Sequence, residues 1–314
     1  MKKNPNFLSY ARNLRLSEGK KFPFLWDGKK GWALLSNYIQ LVKLRLSLLV
    51  VFSAAMAYLW ATNRHVDTLT IWLLSIGGFF ITASSNIFNQ IIERKSDKLM
   101  KRTAQRPLPD ARMKTKEAVV LAIVLGITGL FLLLKINFLS FLLGLSAMLI
   151  YAVVYTPMKK LSSLTVIPGA VAGSLPVVIG WVAARGEITH EALLLFLIQF
   201  IWQFPHTWSI AWLLNDEYKK ASLKMLPTKE KGNTSAILIL LSTFLIIPSG
   251  MLLYMYESAG IHVTWMLALA GIITLLFAFR FYKLRTDKAA VGLMLSCFAY
   301  LPIVLIILVT ERFL

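Results

Sequence analysis

Cysteine is nearly absent: Cys297 is the single one in 314 residues. One thiol excludes an intrachain disulfide and a cysteine-rich metal centre. Its place in a long apolar run reads as that of a small buried hydrophobe. Histidine is scarce as well, with four residues, His65, His190, His206 and His262. Acidic residues number 15 against 34 Lys and Arg, a net charge of +19. That charge is spread among apolar runs, and no soluble basic module stands out, so nucleic acid is excluded as its partner. With so few carboxylates, the places where they gather carry information.

What the chain has in abundance is hydrocarbon. It is 57% hydrophobic with a mean hydropathy of +0.65, above the roughly 45–50% apolar share of a soluble domain. The apolar residues fall into nine stretches, near 42–61, 69–90, 117–134, 137–156, 164–184, 193–213, 236–256, 264–281 and 289–310. Each is about long enough to cross a bilayer core, which takes about 20 helical residues. The fold class expected is an all-α integral membrane protein with nine transmembrane helices. Residues 38–314 form the polytopic domain, and 1–37 read as a cytoplasmic N-terminal extension. That arm has no long apolar core followed by a cleavage pattern, and its KKFPFLWDGKK segment suits an interface.

The cations are distributed unevenly. The N-terminal arm and the even-numbered connections carry 28 of the 34 Lys and Arg, and the odd connections and C-terminal tail carry four (Arg64, Lys135, Arg185, Arg312). Lysine and arginine bias sets orientation, so the N-terminus and even connections are expected in the cytoplasm, with the C-terminus outside. Attraction to anionic lipid headgroups accounts for most of the net charge, and membrane lipid is the first partner implied. Lys43 and Arg45, near the start of the first span, read by default as snorkelling cations.

Ionisable and amide groups near span ends are costly, and two even connections hold nearly all of them. The first reads SSNIFNQIIERKSDKLMKRTAQRPLPDARMK. Asn86, Asn89, Glu93 and Asp97 step by 3, 4 and 4 residues, which at about 100° per residue keeps them on one helix face. Two amides and two carboxylates suit Mg²⁺, which takes one or two carboxylates together with substrate phosphates. Arg102 and Arg106 follow one helical turn apart and suit phosphate oxygens, with Pro107 stopping the helix.

The second connection, WQFPHTWSIAWLLNDEYKKASLKMLPTKEKG, places Asp216, Glu217 and Tyr218 directly after the sixth span. Two acidic clusters on one side suggest a diphosphate held between them through Mg²⁺. His206 lies inside that span and shares a face with Gln199 and Gln203. Either it is a buried histidine satisfied by a neighbour, or it contacts an acceptor as iron ligand, propionate partner or proton carrier. Tyr151, Tyr155, Lys159 and Lys160 close the fourth span, and Gly169 and Gly173 in the fifth allow close helix packing.

NQIIERKSD resembles the N-x-x-x-D-x-x-x-D element of UbiA-type intramembrane prenyltransferases, with Glu93 in the middle position, and RTAQRPL is similar to the same superfamily. The segments YTPMKKLSSLTVIPGAVAGSLPVVIGW and WQFPHTWSIAWLLNDEYKKASLKMLP narrow the resemblance to the protohaem IX farnesyltransferases, over roughly 40–230. The resemblance implies nine helices around a central cavity and farnesyl transfer from farnesyl diphosphate to haem b, with Mg²⁺. Asn89, Glu93, Asp97 and Asp216 would be the catalytic and metal-holding residues. Asn86, Arg102, Arg106, Lys43, Arg45, Tyr155, Lys160 and Tyr218 would bind the diphosphate, and His206 the haem. It also implies the cell (inner) membrane as location and a haem A synthase or terminal oxidase assembly downstream. The second acidic element departs from D-x-x-x-D, with Lys220 in its second place, which leaves the number of metal ions open. Two rival readings are a prenyltransferase with an aromatic quinone-precursor acceptor, which would carry D-x-x-x-D and lack WQ-x-PH, and a transporter, which predicts internal repeats and midplane charges.

Overall fold

A computed structural model describes residues 28–313 of the chain, so most of the N-terminal extension lies outside the described residues. Compact units divide between Ser36 and Asn37. Among the described residues there are helices and turns and no strand. Nine helices among the described residues are long and apolar enough to span a membrane: Leu44–Thr62, Thr68–Asp97, Thr115–Ile136, Phe138–Leu161, Ser163–Arg185, His190–Leu213, Asn233–Met255, Ile261–Leu284 and Asp287–Phe313. The expected count and order hold, with ends shifted by a few residues. The largest shift is in the second span, which runs on to Asp97 and carries the acidic face as one continuous helix.

The nine spans form a closed bundle. The first packs on the second and fifth, the fifth on the sixth, the eighth on the ninth, and the ninth returns to the first and sixth. Outward faces carry exposed Leu, Ile, Phe and Trp side chains, such as Trp72, Phe131, Trp265 and Leu276. Lipid is the medium that suits such surfaces, since hydrocarbon groups there have no water to exclude. Span ends are made locally. Asp67 accepts from the backbone N–H groups of Leu69 and Thr70 and so caps the second span. The fifth ends at Gly186, whose φ of 79° is the left-handed C-cap that glycine adopts without a Cβ penalty.

Close helix approach depends on missing side chains. At Gly180 an added Cβ would stand 2.0 Å from the backbone oxygen of Ala54 in the first span. That atom belongs to helix backbone and cannot rotate away. Gly180→Ala is therefore expected to separate the first and fifth spans and cost about 3 kcal/mol, the upper range for overpacking. The check is the apparent thermal midpoint in detergent, and an unchanged midpoint would contradict the packing described.

One corner of the bundle is held in an uncommon backbone conformation. The helix Gly28–Val42 and the first span meet at Lys43, a single left-handed residue with φ 49° and ψ 57°, a state costly for a side chain with a Cβ. Groups from the second span brace it. Gln90 Nε2 donates to the carbonyl of Leu41 (2.6 Å), and Asn86 Nδ2 to Ser47 Oγ (3.3 Å), whose hydroxyl donates to the carbonyl of Val42 (2.8 Å).

Candidate active site

The bracing turns Lys43 toward the second span, where its Nζ lies 3.4 Å from Asn89 Oδ1. Asn86, Asn89, Glu93 and Asp97 are all buried, at 2, 1, 7 and 1% exposure, on the face their spacing predicts. Burying carboxylates demands compensation, and each has its own cation. Lys159 Nζ sits 2.9 Å from Glu93 Oε1, and Arg106 Nη1 sits 2.8 Å from Asp97 Oδ2. Asn89 Nδ2 donates to Thr156 Oγ1 (3.1 Å), which ties the second span to the fourth.

The fourth span determines which lysine arrives. Between Ile150 and Tyr155 it widens into a π-turn before resuming as helix Thr156–Leu161. Residues four apart share a face along this turn and the helix that follows it. Tyr151, Tyr155 and Lys159 thus line up. The rings of Tyr151 and Tyr155 are 5.3 Å apart, and Lys159 Nζ lies 4.3 Å from the Tyr155 ring centroid. Lys160 is exposed. The sequence offered both lysines, and the four-residue spacing from Tyr151 and Tyr155 was the signal that singles out Lys159. Space for the Tyr155 ring comes from Gly169, where a Cβ would meet ring carbon Cε2 at 2.7 Å.

Past Asp97 the structure departs from the expected helix. The Thr103 hydroxyl donates to the Asp97 carbonyl (2.8 Å) and helps end the span there, and residues 98–113 run as turns. Arg102 and Arg106 therefore sit on a folded loop, Arg102 exposed and Arg106 turned in to Asp97. The second acidic element lies on the short helix Asn215–Lys220. Glu217 Oε2 accepts from the backbone N–H of Arg102 (3.3 Å), which joins the two connections. Asp216 itself is exposed, as is Arg45. Lys224 donates from its backbone to the carbonyl of Lys159 (2.7 Å) and from Nζ to that of Leu161 (3.0 Å). Lys159 is thus a contributor to which sequence reasoning gave no role, and Glu217, read there as part of the second acidic cluster, joins the two connections.

Cations outnumber carboxylates around this cluster. Lys43, Lys159, Arg106 and Arg102 face Glu93, Asp97 and Glu217. Burial, with Arg106 and Lys159 nearby, lowers the Lys43 ammonium to about 7, so an incoming anion favours its charged form. Burial pushes the Tyr218 hydroxyl above its usual range, against the opposing pull of Arg102. Among the described residues no three His, Cys, Asp or Glu side chains come close enough to share a metal ion. Two carboxylates with amide oxygens, completed by phosphate, remain the kind of set that Mg²⁺ accepts.

From this end an apolar cavity of about 290 Å³ runs into the bundle, lined by Asn86, Tyr151 and Tyr155 at one part and by Gln199, Gln203 and His206 at another. The His206 ring stacks on Trp202 (4.5 Å, 13°) and meets the edge of Phe298 (4.8 Å, 79°). The family model for UbiA prenyltransferases matches residues 50–301. The chain belongs to the UbiA prenyltransferase family. Within it, the protoheme IX farnesyltransferase of Cytophaga hutchinsonii is 43% identical over 277 residues, covering 88% of this chain and 97% of its own. That of Flavobacterium psychrophilum is 38% identical, covering 90% and 96%. The fold is that of solved UbiA relatives. A digeranylgeranylglyceryl phosphate synthase superposes with a TM-score of 0.75 at 21% identity, covering 88% of this chain and 98% of its own. An Archaeoglobus fulgidus UbiA homologue bound to GPP and Mg²⁺ gives 0.68 at 17% identity, covering 87% and 99%.

Proposed function

We propose that this UbiA-family protein transfers the farnesyl group of farnesyl diphosphate to a vinyl group of protohaem IX, giving haem O. The observation that carries the reading is one apolar cavity lined by Tyr151 and Tyr155, the second in contact with Lys159 of the cation-rich cluster, and by Gln199, Gln203 and His206. Relatives named protoheme IX farnesyltransferase, similar over nearly the whole chain, supply the acceptor.

Diphosphate is the anion that suits the cation-rich end. Lys43, Lys159 and Arg106 meet its oxygens from the spans and the first loop, with Arg102 and Tyr218 beside them, and Asn86 lies where the cavity begins. Arg45 and Lys160, both exposed, add long-range attraction. Asn89, Glu93 and Asp97 would hold Mg²⁺, with Asp216 approaching from the second connection. Bound there, the ion supplies charge neutralisation to the departing diphosphate. The residues then act on one bond. The C1–O bond of the farnesyl ester breaks, and its electron pair leaves on the diphosphate, toward the lysines and arginines. The allylic cation left behind lies in a cavity poor in water and faced by Tyr151 and Tyr155, whose rings stabilise positive charge. The terminal vinyl carbon of haem forms the new C–C bond. Water adds to the neighbouring carbon, leaving a hydroxyl there, and its proton departs with the diphosphate.

The lysine and arginine bias supports a cytoplasmic position for this end of the bundle and an outer one for the C-terminus, in the cell (inner) membrane that the resemblance implies. Farnesyl diphosphate then arrives from the aqueous side, with haem b from the bilayer, and the product passes to a haem A synthase or a terminal oxidase assembly. The rival acceptor is tested by offering labelled farnesyl diphosphate with haem b and a hydroxybenzoate together. Label is expected in the haem fraction alone, and label in the aromatic acid would overturn the acceptor assignment.

A further inference from the structure

His206 is held in a way that decides between the roles open to it. Its ring is fixed between Trp202 and Phe298, and its Nδ1 is buried with no hydrogen-bond partner. A histidine that ligates a metal through one nitrogen almost always donates the other N–H to a carboxylate, carbonyl or water, which fixes the tautomer. No side chain or backbone group among the described residues plays that part. A proton on Nδ1 would be a buried donor without an acceptor, a costly state. The proton therefore belongs on Nε2 of this cavity-lining ring. Nε2 then has no lone pair for iron and presents an N–H.

A second donor stands one turn away. Gln203 lines the same cavity, and its carboxamide has no recorded hydrogen bond among the described residues. It lies across the backbone of the fifth span at Gly173, where a Cβ would stand 2.2 Å from its Nε2. Gln199 braces the same point by donating to the Gly173 carbonyl (2.6 Å). Glycine at 173 is thus what lets Gln203 lie flat beside the cavity without filling it.

We propose that His206 Nε2–H and the Gln203 amide form a two-donor site for a carboxyl group of the acceptor, that His206 is not an iron ligand, and that Gly173 positions Gln203 for this task. The inference rests on the acceptor proposed above, a porphyrin whose edge carries carboxyl groups. It separates recognition of the acid edge from the metal at the ring centre. The enzyme would then select its acceptor by its acid edge, whatever occupies the porphyrin centre.

The test uses full-length protein in lipid and four probes: haem b, metal-free protoporphyrin IX, its dimethyl ester, and farnesyl diphosphate as a folding control. Wild type is expected to bind metal-free protoporphyrin about as tightly as haem b, and the diester roughly tenfold more weakly, the scale of a hydrogen bond to a charged group. His206→Phe, which keeps the stacking, and Gln203→Leu should each erase the preference for the diacid. Both should leave farnesyl diphosphate binding and the electron paramagnetic resonance spectrum of bound ferric haem unchanged. A change in iron coordination in His206→Phe would overturn the proposal, as would equal wild-type affinity for acid and ester. Should wild type bind farnesyl diphosphate and none of the porphyrins, the acceptor assignment itself falls and takes this inference with it.

Discussion

Replacing Asp97 with asparagine is expected to lower farnesyl transfer by about 10³-fold while leaving the protein folded. Asp97 is 1% exposed and bound to Arg106 at 2.8 Å, and asparagine preserves its size and one acceptor oxygen. What it removes is a negative charge at the point where the metal-bridged diphosphate would sit. Loss of a single preorganised electrostatic group costs about 10²–10³ in rate, and on the proposed function a metal ligand would be lost as well. Glu93→Gln should lower the rate alike, but with a lower thermal midpoint, because it strands the buried Lys159 charge. The check is the initial rate across a Mg²⁺ titration, with farnesyl diphosphate binding and thermal midpoint as controls. A rate within about tenfold of wild type would remove Asp97 from the site.

Lys159→Met is expected to have the largest effect on stability of any change at this end of the bundle. Lys159 and Glu93 are both buried, at 8% and 7% exposure, and pair at 2.9 Å. Removing one partner of a buried pair leaves an uncompensated charge and costs about 3–5 kcal/mol. The Lys159→Met thermal midpoint should fall accordingly, and diphosphate binding should be lost. Adding Glu93→Gln removes the stranded charge, so the double variant should regain most of the stability and none of the activity. The exposed neighbour Lys160, changed to Met, should remain near wild type in stability. Reversed effects at 159 and 160 would contradict the register in which Tyr151, Tyr155 and Lys159 share one face.

These two predictions mark where the sequence was legible and where it was not. The nine spans could be read because each is a local property, a run of about 20 apolar residues. The face formed by Asn86, Asn89, Glu93 and Asp97 could be read for the same reason, since one continuous helix carries all four. The loop after Asp97 could not, because it is ended by a hydroxyl six residues on. The choice of Lys159 over Lys160 was legible only in its four-residue spacing from Tyr151 and Tyr155. Long-range partners were the least visible. Glu217 meets the backbone of Arg102 across 115 residues, and Gly173 is explained by a glutamine side chain on another helix. In the sequence that glycine looked like ordinary packing, and its relation to Gln203 exists only once the fifth and sixth spans lie together.

The central claim is the reaction itself, and the mass of the haem tests it most directly. Purified protein in lipid would be given haem b, farnesyl diphosphate and Mg²⁺, and the extracted haem analysed by mass spectrometry. The account predicts a haem heavier by one farnesyl group and one hydroxyl, formed with Mg²⁺ and absent with EDTA or in Asp97→Asn. Unchanged haem from protein that still binds farnesyl diphosphate would contradict it.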